Sequence, residues 1–572
     1  MNLKRPDQHT PRERTTRSSD GFRYLIQGLL FAVAAGCVPD RPIRIELNND
    51  VQKPTKSVII FLVDGMDRTR LRELLAEGKL PNIEQRFVKG GVQVTRAVTS
   101  LPSITYPNCS TVITGCYPGH HGILGNCWLD RSTLSCYNMN ANTYLSANRH
   151  LLVPTLFDHL SDHFTLSIQA YIRQGVTHAI DNPNMIFWCW AFERYMDLDR
   201  HVSLCMEEAT GVANQAKRWP TVIFTYYPGV DEMGHKFGPD SLEYETALVN
   251  IDRAIKRIGD ALDEAGVGPS TYYALVADHS MAPVAKQHQF DLLRWLRKSR
   301  GIHPRTTAVE LGQYADRAAL LQQYDTVVAL GSGRVGMIYF PGERGWSQPP
   351  KPEKVEEWVT AEPAITSLPA VEFVITKTGP DQVCVRSHHG SAIIQRRPAE
   401  PSAQYRLIAD EKDILRYRTL PKLAAFVDRG WHTSREWLDA TIHTHHPDFV
   451  AQVVEMFDSP RAGDIVVMAA DDWSFEPNYN YKGGHGSCIA PDMLIPMYFA
   501  GPDLPRGGTI ATARLVDFMP TLLGLLGEQD RLQNSPPIDG INLATELKNA
   551  RPQAGSTKTG KRTNPRPVRR TP

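Results

Sequence analysis

None of the nine cysteines in this chain stands in the paired CxxC spacing of a thiolate metal site, which leaves oxygen and nitrogen donors for any metal it holds. Charge is as scarce in bulk: the formal net charge is +1, so composition offers no attraction for nucleic acid and no nucleic-acid-binding module is expected. The apolar stretch from Tyr24 to Cys37, YLIQGLLFAVAAGC, is too short to cross a bilayer as a stable helix. What is present is a globular balance, 42% hydrophobic and 22% charged over 572 residues. That length suits a large α/β enzyme carrying insertions.

The two ends depart from this average. Lys4, Arg5, Arg12, Arg14, Arg17 and Arg23 precede the apolar stretch, against Asp7, Glu13 and Asp20 alone. This order reads as an export signal over residues 1–37. Its last residues, Ala34-Ala35-Gly36-Cys37, resemble a bacterial lipobox, which implies a periplasmic or cell-surface protein attached to the membrane through a lipidated Cys37; a soluble secreted protein is the alternative. Of the other eight cysteines, Cys127 with Cys136 and Cys189 with Cys205 can pair in an oxidising compartment or remain buried thiols. Residues 551–572 hold seven Lys or Arg, no acid and four prolines, the composition of a disordered basic tail.

Five apolar runs read as buried strands: SVIIFLV at 57–63, TVIFTYY at 221–227, TYYALVA at 271–277, DIVVMAA at 464–470 and LIPMYFA at 494–500. Between them, Leu248, Ile251, Ile255, Ile258 and Leu262 recur at helical spacing over 241–266, with Gly266 as the stop. Alternation of this kind predicts an α/β fold with a central, largely parallel sheet covered on both faces, its ligands at the carboxyl ends of the strands. The core is expected at 50–284 and 461–545. Residues 285–460 carry short alternating segments, AVEFVITKTG and QVCVRSHHGSAIIQRR, that read as a hairpin-containing cap or accessory insertion.

Acids and imidazoles fall at those strand ends: Asp64 after the first, Asp231 and His235 after the second, Asp278 and His279 after the third, and His485 in a glycine-rich loop after the fourth. Three carboxylates and three imidazoles without a thiolate suit Zn²⁺, with Mn²⁺ as the other candidate, and six protein ligands exceed what one catalytic zinc takes. Two divalent ions are therefore expected. A second segment, residues 99–126, runs through turns into a Ser/Thr-rich helix start, a place that favours anionic ligands. His388 and His389, and the group His443, His445 and His446, lie in the insertion and read as surface histidines.

The ordered motifs T-Y-P-N, T-G-x-Y-P-x-x-H-G-I-x-x-N, D-x-x-G-H-x-x-G-P, D-H-S-M and H-G-S resemble those of the nucleotide pyrophosphatase/phosphodiesterase branch of the alkaline phosphatase superfamily. The resemblance implies an alkaline-phosphatase-like three-layer sandwich. It makes Thr105 the nucleophile and a ligand of a metal also held by Asp64, Asp278 and His279, with Asp231, His235 and His485 on a second ion. Asn126 takes the place of an amide donor to a phosphoryl oxygen, with a backbone N–H near Tyr106 as its companion. A loose alignment adds Arg173 as a substrate-binding cation, with Tyr171 where the threonine-type alkaline phosphatases place a lysine. One cation fewer favours a monoanionic diester over a dianionic monoester. A phosphodiesterase acting on a small phosphate ester is thus expected, with a threonine-type phosphomonoesterase or an inactive metal-stabilised binding protein as alternatives.

Overall fold

A computed structural model of the chain describes residues 42–139, 144–192, 194–307, 316–331, 333–408, 412–476 and 480–552. The export segment with Cys37, and the basic tail beyond Pro552, lie outside them. Arg551 and Pro552, the first two residues of that expected tail, are paired with Thr509 and Gly508 at the edge of a sheet. No helix among the described residues is long and apolar enough to cross a membrane.

Two large sheets organise the chain. The central one runs, in spatial order, Arg551–Pro552, Gly508–Arg514, Val92–Val98, Met497–Ala500, Thr271–Val276, Ser57–Val63, Val222–Tyr227, Thr165–Ile168 and His178–Ile180. All seven residues of Ser57–Val63 are buried; since successive side chains point to opposite faces, both faces of the sheet are covered. The helices Tyr195–Ala216, Gly229–Phe237 and Leu242–Glu264 pack together, and Thr105–Thr114 packs with Phe518–Leu526. The long helix begins where the Ser241 side chain accepts the Tyr244 N–H at 3.2 Å and stops before Gly266 at φ +68°, as its sequence predicts.

Two expected strands take different places. LIPMYFA is broken at Pro496 into Leu494–Ile495 and Met497–Ala500. Met497–Ala500 runs antiparallel to both its neighbours, Val92–Val98 and Thr271–Val276, and so joins the parallel pair Val92–Val98 and Gly508–Arg514 to the parallel strands on its other side. DIVVMAA forms Ile465–Ala469 but belongs to the second sheet, antiparallel to Val335–Tyr339 on one side and Val371–Gly379 on the other. Its residues divide between two cores: Ile465, Val467 and Ala469 pack in one, Val466 and Met468 in the other. A strand buried on both faces carries the same continuous apolar run in either sheet, so the sequence alone does not distinguish them.

The alternating segments of the insertion form the antiparallel run Val371–Gly379, Gln382–Ser387, Gly390–Arg397 and Gln404–Ile408 of this second sheet. Its core extends across the molecule to include Leu101, Ile104, Leu124 and Leu129, the segments on either side of the helix that starts at Thr105. The insertion therefore buttresses that region as well as covering it. Cys127 and Cys136 flank a hairpin, as expected, but Cys136 stands opposite Leu129, and the eight described cysteines are all buried free thiols.

Candidate metal centre and nucleophile

The backbone delivers each acidic group at a strand end. Asp64 leaves Ser57–Val63 with its N–H donating to the Tyr227 carbonyl at 3.0 Å, and Gly65 then turns at φ +65°. A Cβ at Gly65 would lie 2.8 Å from Asp231 Oδ1 and 2.9 Å from Asp231 Cα, so glycine is what lets the two acidic strand ends meet. Asp231 and His235 sit one helical turn apart in Gly229–Phe237, with His235 Nε2 3.4 Å from Asp231 Oδ2. Asp278 Oδ1 accepts the Gly65 N–H at 3.2 Å and the His279 N–H at 2.9 Å. The Tyr226 hydroxyl donates to Asp64 Oδ2.

Each of the three imidazoles is oriented from behind. Nδ1 of His235 is 3.0 Å from the Gly483 carbonyl, that of His279 2.9 Å from the Ser280 carbonyl, and that of His485 3.0 Å from the Ser103 carbonyl. A carbonyl only accepts, so all three Nδ1 atoms carry hydrogen and all three Nε2 atoms face the site. His235 Nε2 and His485 Nε2 stand 3.2 Å apart. His279 and His485 stack with ring centroids 3.6 Å apart.

These donors fit divalent cations. Burial pushes the pKa of His235 down and, with the charge on His279, that of His485 well down. Two neutral imidazoles thus direct lone pairs at each other across 3.2 Å, an arrangement a cation relieves. Asp231 Oδ1 is buried and lacks a hydrogen-bond partner, the condition of an oxygen shaped for a cation, and Asp64 Oδ1 has His279 Nε2 beside it at 3.1 Å. Burial also opposes charge on His279, but the carboxylates of Asp278, Asp64 and Asp231 outweigh it and push the imidazole up to about 10; a proton there answers the same demand for positive charge. One ligand atom each from Asp64, Asp278 and His279 forms a group within 4.8 Å, and Asp231, His279 and His485 form another.

Thr105 begins the helix Thr105–Thr114, which has no side-chain cap of its own. Its Oγ1 lies 3.1 Å from His279 Nε2. The next N–H, of Tyr106, donates to Asn126 Oδ1 at 3.2 Å, while Asn126 Nδ2 donates to the Gly331 carbonyl at 3.1 Å. The expected pair, Asn126 and the Tyr106 N–H, is therefore bonded together beside the nucleophile. Both oxygens of Asp181 engage the Arg173 guanidinium. Tyr171, from the same loop, stacks on Tyr106 with centroids 5.9 Å apart and contacts Tyr226.

Four further residues shape the site. Asn108, the last residue of the T-Y-P-N motif, donates to the carbonyls of Ser100, Pro102 and Ile104 and accepts the Ser100 N–H, which locks the turn leading into Thr105. Gly331, in the loop between two strands of the second sheet, supplies the carbonyl that holds Asn126, and Gly333 bridges to His485. Arg334 is wholly buried, paired with Asp492 at 3.0 Å, and lies under Gly484. A lone arginine or glycine in an insertion carries no sequence signal of such a role; the four polar bonds of Asn108 were hidden inside a motif already explained by Thr105.

A family model described as "Type I phosphodiesterase / nucleotide pyrophosphatase" matches residues 58–488. Among curated proteins, an uncharacterized pyrophosphatase/phosphodiesterase of Schizosaccharomyces pombe is 24% identical over 270 residues, 46% of this chain and 50% of that protein. Ectonucleotide pyrophosphatase/phosphodiesterase 1 of Saccharomyces cerevisiae is 25% identical over 34% of this chain and 30% of its own length. The bis(5'-adenosyl)-triphosphatase of Bos taurus is 25% identical over 43% of this chain and 51% of its own. The matches thus span about half the length of these relatives or less.

Proposed function

Because this chain belongs to the type I phosphodiesterase/nucleotide pyrophosphatase family, we propose that it hydrolyses phosphodiester or phosphoanhydride bonds through a phosphothreonine at Thr105. The carrying observation is the placement of Thr105 Oγ1 at 3.1 Å from His279 Nε2, at the edge of a pocket of carboxylate and imidazole donors turned toward one another. Asp64, Asp278 and His279 would hold one divalent ion and Asp231, His235 and His485 a second, with Zn²⁺ suited to both donor sets. Ions held there supply Lewis acidity that favours the threonine alkoxide and offsets charge on the departing oxygen.

The protein's own groups do the rest. Thr105 Oγ1 bonds to phosphorus as the ester or anhydride oxygen leaves, and water then cleaves the phosphothreonine, restoring the hydroxyl. Nδ2 of Asn126 has a second hydrogen beyond the one given to Gly331, and it serves as donor to a non-bridging phosphoryl oxygen whose charge grows in the transition state. Tyr226 and the backbone N–H groups of Gly65 and His279 fix the carboxylates so that little reorganisation is needed.

The pairing of Arg173 with Asp181 supports a diester preference, because the cation offered for a dianionic monoester is already matched. The N-terminal segment is proposed to export the chain to the periplasm or cell surface, with lipid attachment at Cys37. The test is hydrolysis of bis-p-nitrophenyl phosphate, p-nitrophenyl phosphate and bis(5'-adenosyl) triphosphate by zinc-reconstituted and chelator-stripped protein. Diester or anhydride turnover that needs the metal is expected; faster turnover of the monoester would make the enzyme a phosphomonoesterase instead.

A further inference from the structure

A second gathering of ligand-bearing side chains lies on the second sheet. Glu372 comes from the strand Val371–Gly379, and His445 and His446 come from the loop after the helix Ser434–Thr441. One ligand atom from each of the three lies within 4.8 Å of the others. The expectation of surface histidines fails at His446, which is wholly buried. Its Nε2 is 3.2 Å from Glu372 Oε1, and its buried Nδ1 has no hydrogen-bond partner. His445 Nε2 stands 3.4 Å from Asp471 Oδ1, so a second carboxylate adjoins the group.

The loop is held independently of any ligand. The Tyr417 hydroxyl donates to the His446 carbonyl at 2.5 Å, the Ala490 N–H to the His445 carbonyl at 2.8 Å, and the Asp448 N–H to Thr441 Oγ1 at 2.9 Å. Both imidazoles are thereby carried on a fixed backbone. A buried imidazole–carboxylate pair explains His446 with Glu372; it does not explain a second imidazole converging on the same point, or a buried nitrogen left unmatched, which is costly. Glu372 also lines a cavity of about 600 Å³ together with His388, His389, Lys412 and Arg416.

We infer that Glu372, His445 and His446 form a further divalent-cation site, separate from the donors around Thr105, for a transition ion such as Zn²⁺. Two imidazoles and one carboxylate are the mixed donor set that zinc accepts from a protein while keeping a fourth position for water or an anion. Calcium and magnesium favour oxygen-only surroundings.

Zinc counting on the full-length chain tests this. Metal-stripped protein is dialysed against zinc, freed of excess and assayed by atomic emission, in a background of Asp278→Asn and His235→Ala that removes donors near Thr105. Adding Glu372→Gln or His445→Ala to that background is expected to remove about one further equivalent of zinc. His445 is the better position for substitution because it is half-buried, whereas loss of the buried His446 can unfold the chain; circular dichroism verifies folding. In the otherwise wild-type chain, His445→Ala should lose the same equivalent and hydrolyse the diester at an unchanged rate. Equal zinc in the folded parent and its His445→Ala variant overturns the site, whatever the outcome for Thr105.

Discussion

Thr105 Oγ1 and His279 Nε2 are 3.1 Å apart, with the imidazole fixed from behind by the Ser280 carbonyl. The threonine therefore faces the one imidazole that belongs to both candidate ligand groups. Thr105→Ala is expected to lower kcat/KM for bis-p-nitrophenyl phosphate by about 10³-fold or more with the metal content unchanged. Thr105→Ser, which keeps a hydroxyl, should fall less. Wild-type turnover by folded Thr105→Ala would remove the threonine from the chemistry.

Asn126 links the helix start to the second sheet, accepting from Tyr106 and donating to Gly331. Asn126→Ala removes the phosphoryl donor and releases the Tyr106 N–H, and kcat is expected to drop about 10²-fold. Asn126→Asp retains the acceptor for Tyr106 but presents a negative oxygen to the phosphoryl group, so its kcat should be no better. Steady-state kinetics on the diester separates these from a simple binding defect, which would appear in KM.

Gly65→Ala meets two penalties at once. The left-handed backbone at φ +65° disfavours a Cβ by about 1–2 kcal/mol, and that Cβ would lie 2.8 Å from Asp231 Oδ1. Urea unfolding should show a loss of at least that size, and zinc affinity should fall with it because Asp231 is displaced. Wild-type zinc affinity in the variant would show that Asp231 is not a ligand.

His120 is held between carboxylates distant in sequence, with Nε2 3.0 Å from Asp458 and Nδ1 2.8 Å from Asp539. Arg396 shares Asp458 with it. Burial opposes the charge on His120, but the carboxylates of Asp458, Asp539 and Glu455 prevail and push it up to about 12. The imidazolium contribution is complete below its unfolded value, about 6.5, and is lost as pH rises toward 12. His120→Gln should therefore destabilise by on the order of 2 kcal/mol at pH 6 and by less at pH 9, as read from denaturant midpoints. A deficit that grows with pH would contradict the charged pairing.

Much of the candidate site was legible because parallel strands write themselves as unbroken apolar runs, and the first polar residue after each is where the chain leaves the sheet. Asp64, Asp231, Asp278 and His279 all follow from that. His485 was found for a reason that proved partly mistaken: the strand before it lies in the second sheet, and the glycine loop from there crosses to the site. The contributions of Gly331, Gly333 and Arg334 depend on how one sheet leans on the other, a relation with no period or spacing in the sequence. The partner of Arg173, Asp181, lies beyond the strand His178–Ile180, and no spacing in the sequence announces that pairing.

The antiparallel strand Met497–Ala500 has a consequence for the order in which the protein becomes competent. In the central sheet it lies between Val92–Val98, which leads toward Thr105, and Thr271–Val276, which ends at Asp278. A chain emerging from the ribosome has made its nucleophile and most of its acidic residues hundreds of residues before it makes the strand that ties them together. Until residue 500 is available, those two halves of the central sheet have no strand between them. A product truncated before that point is therefore expected to lack the proposed hydrolytic activity.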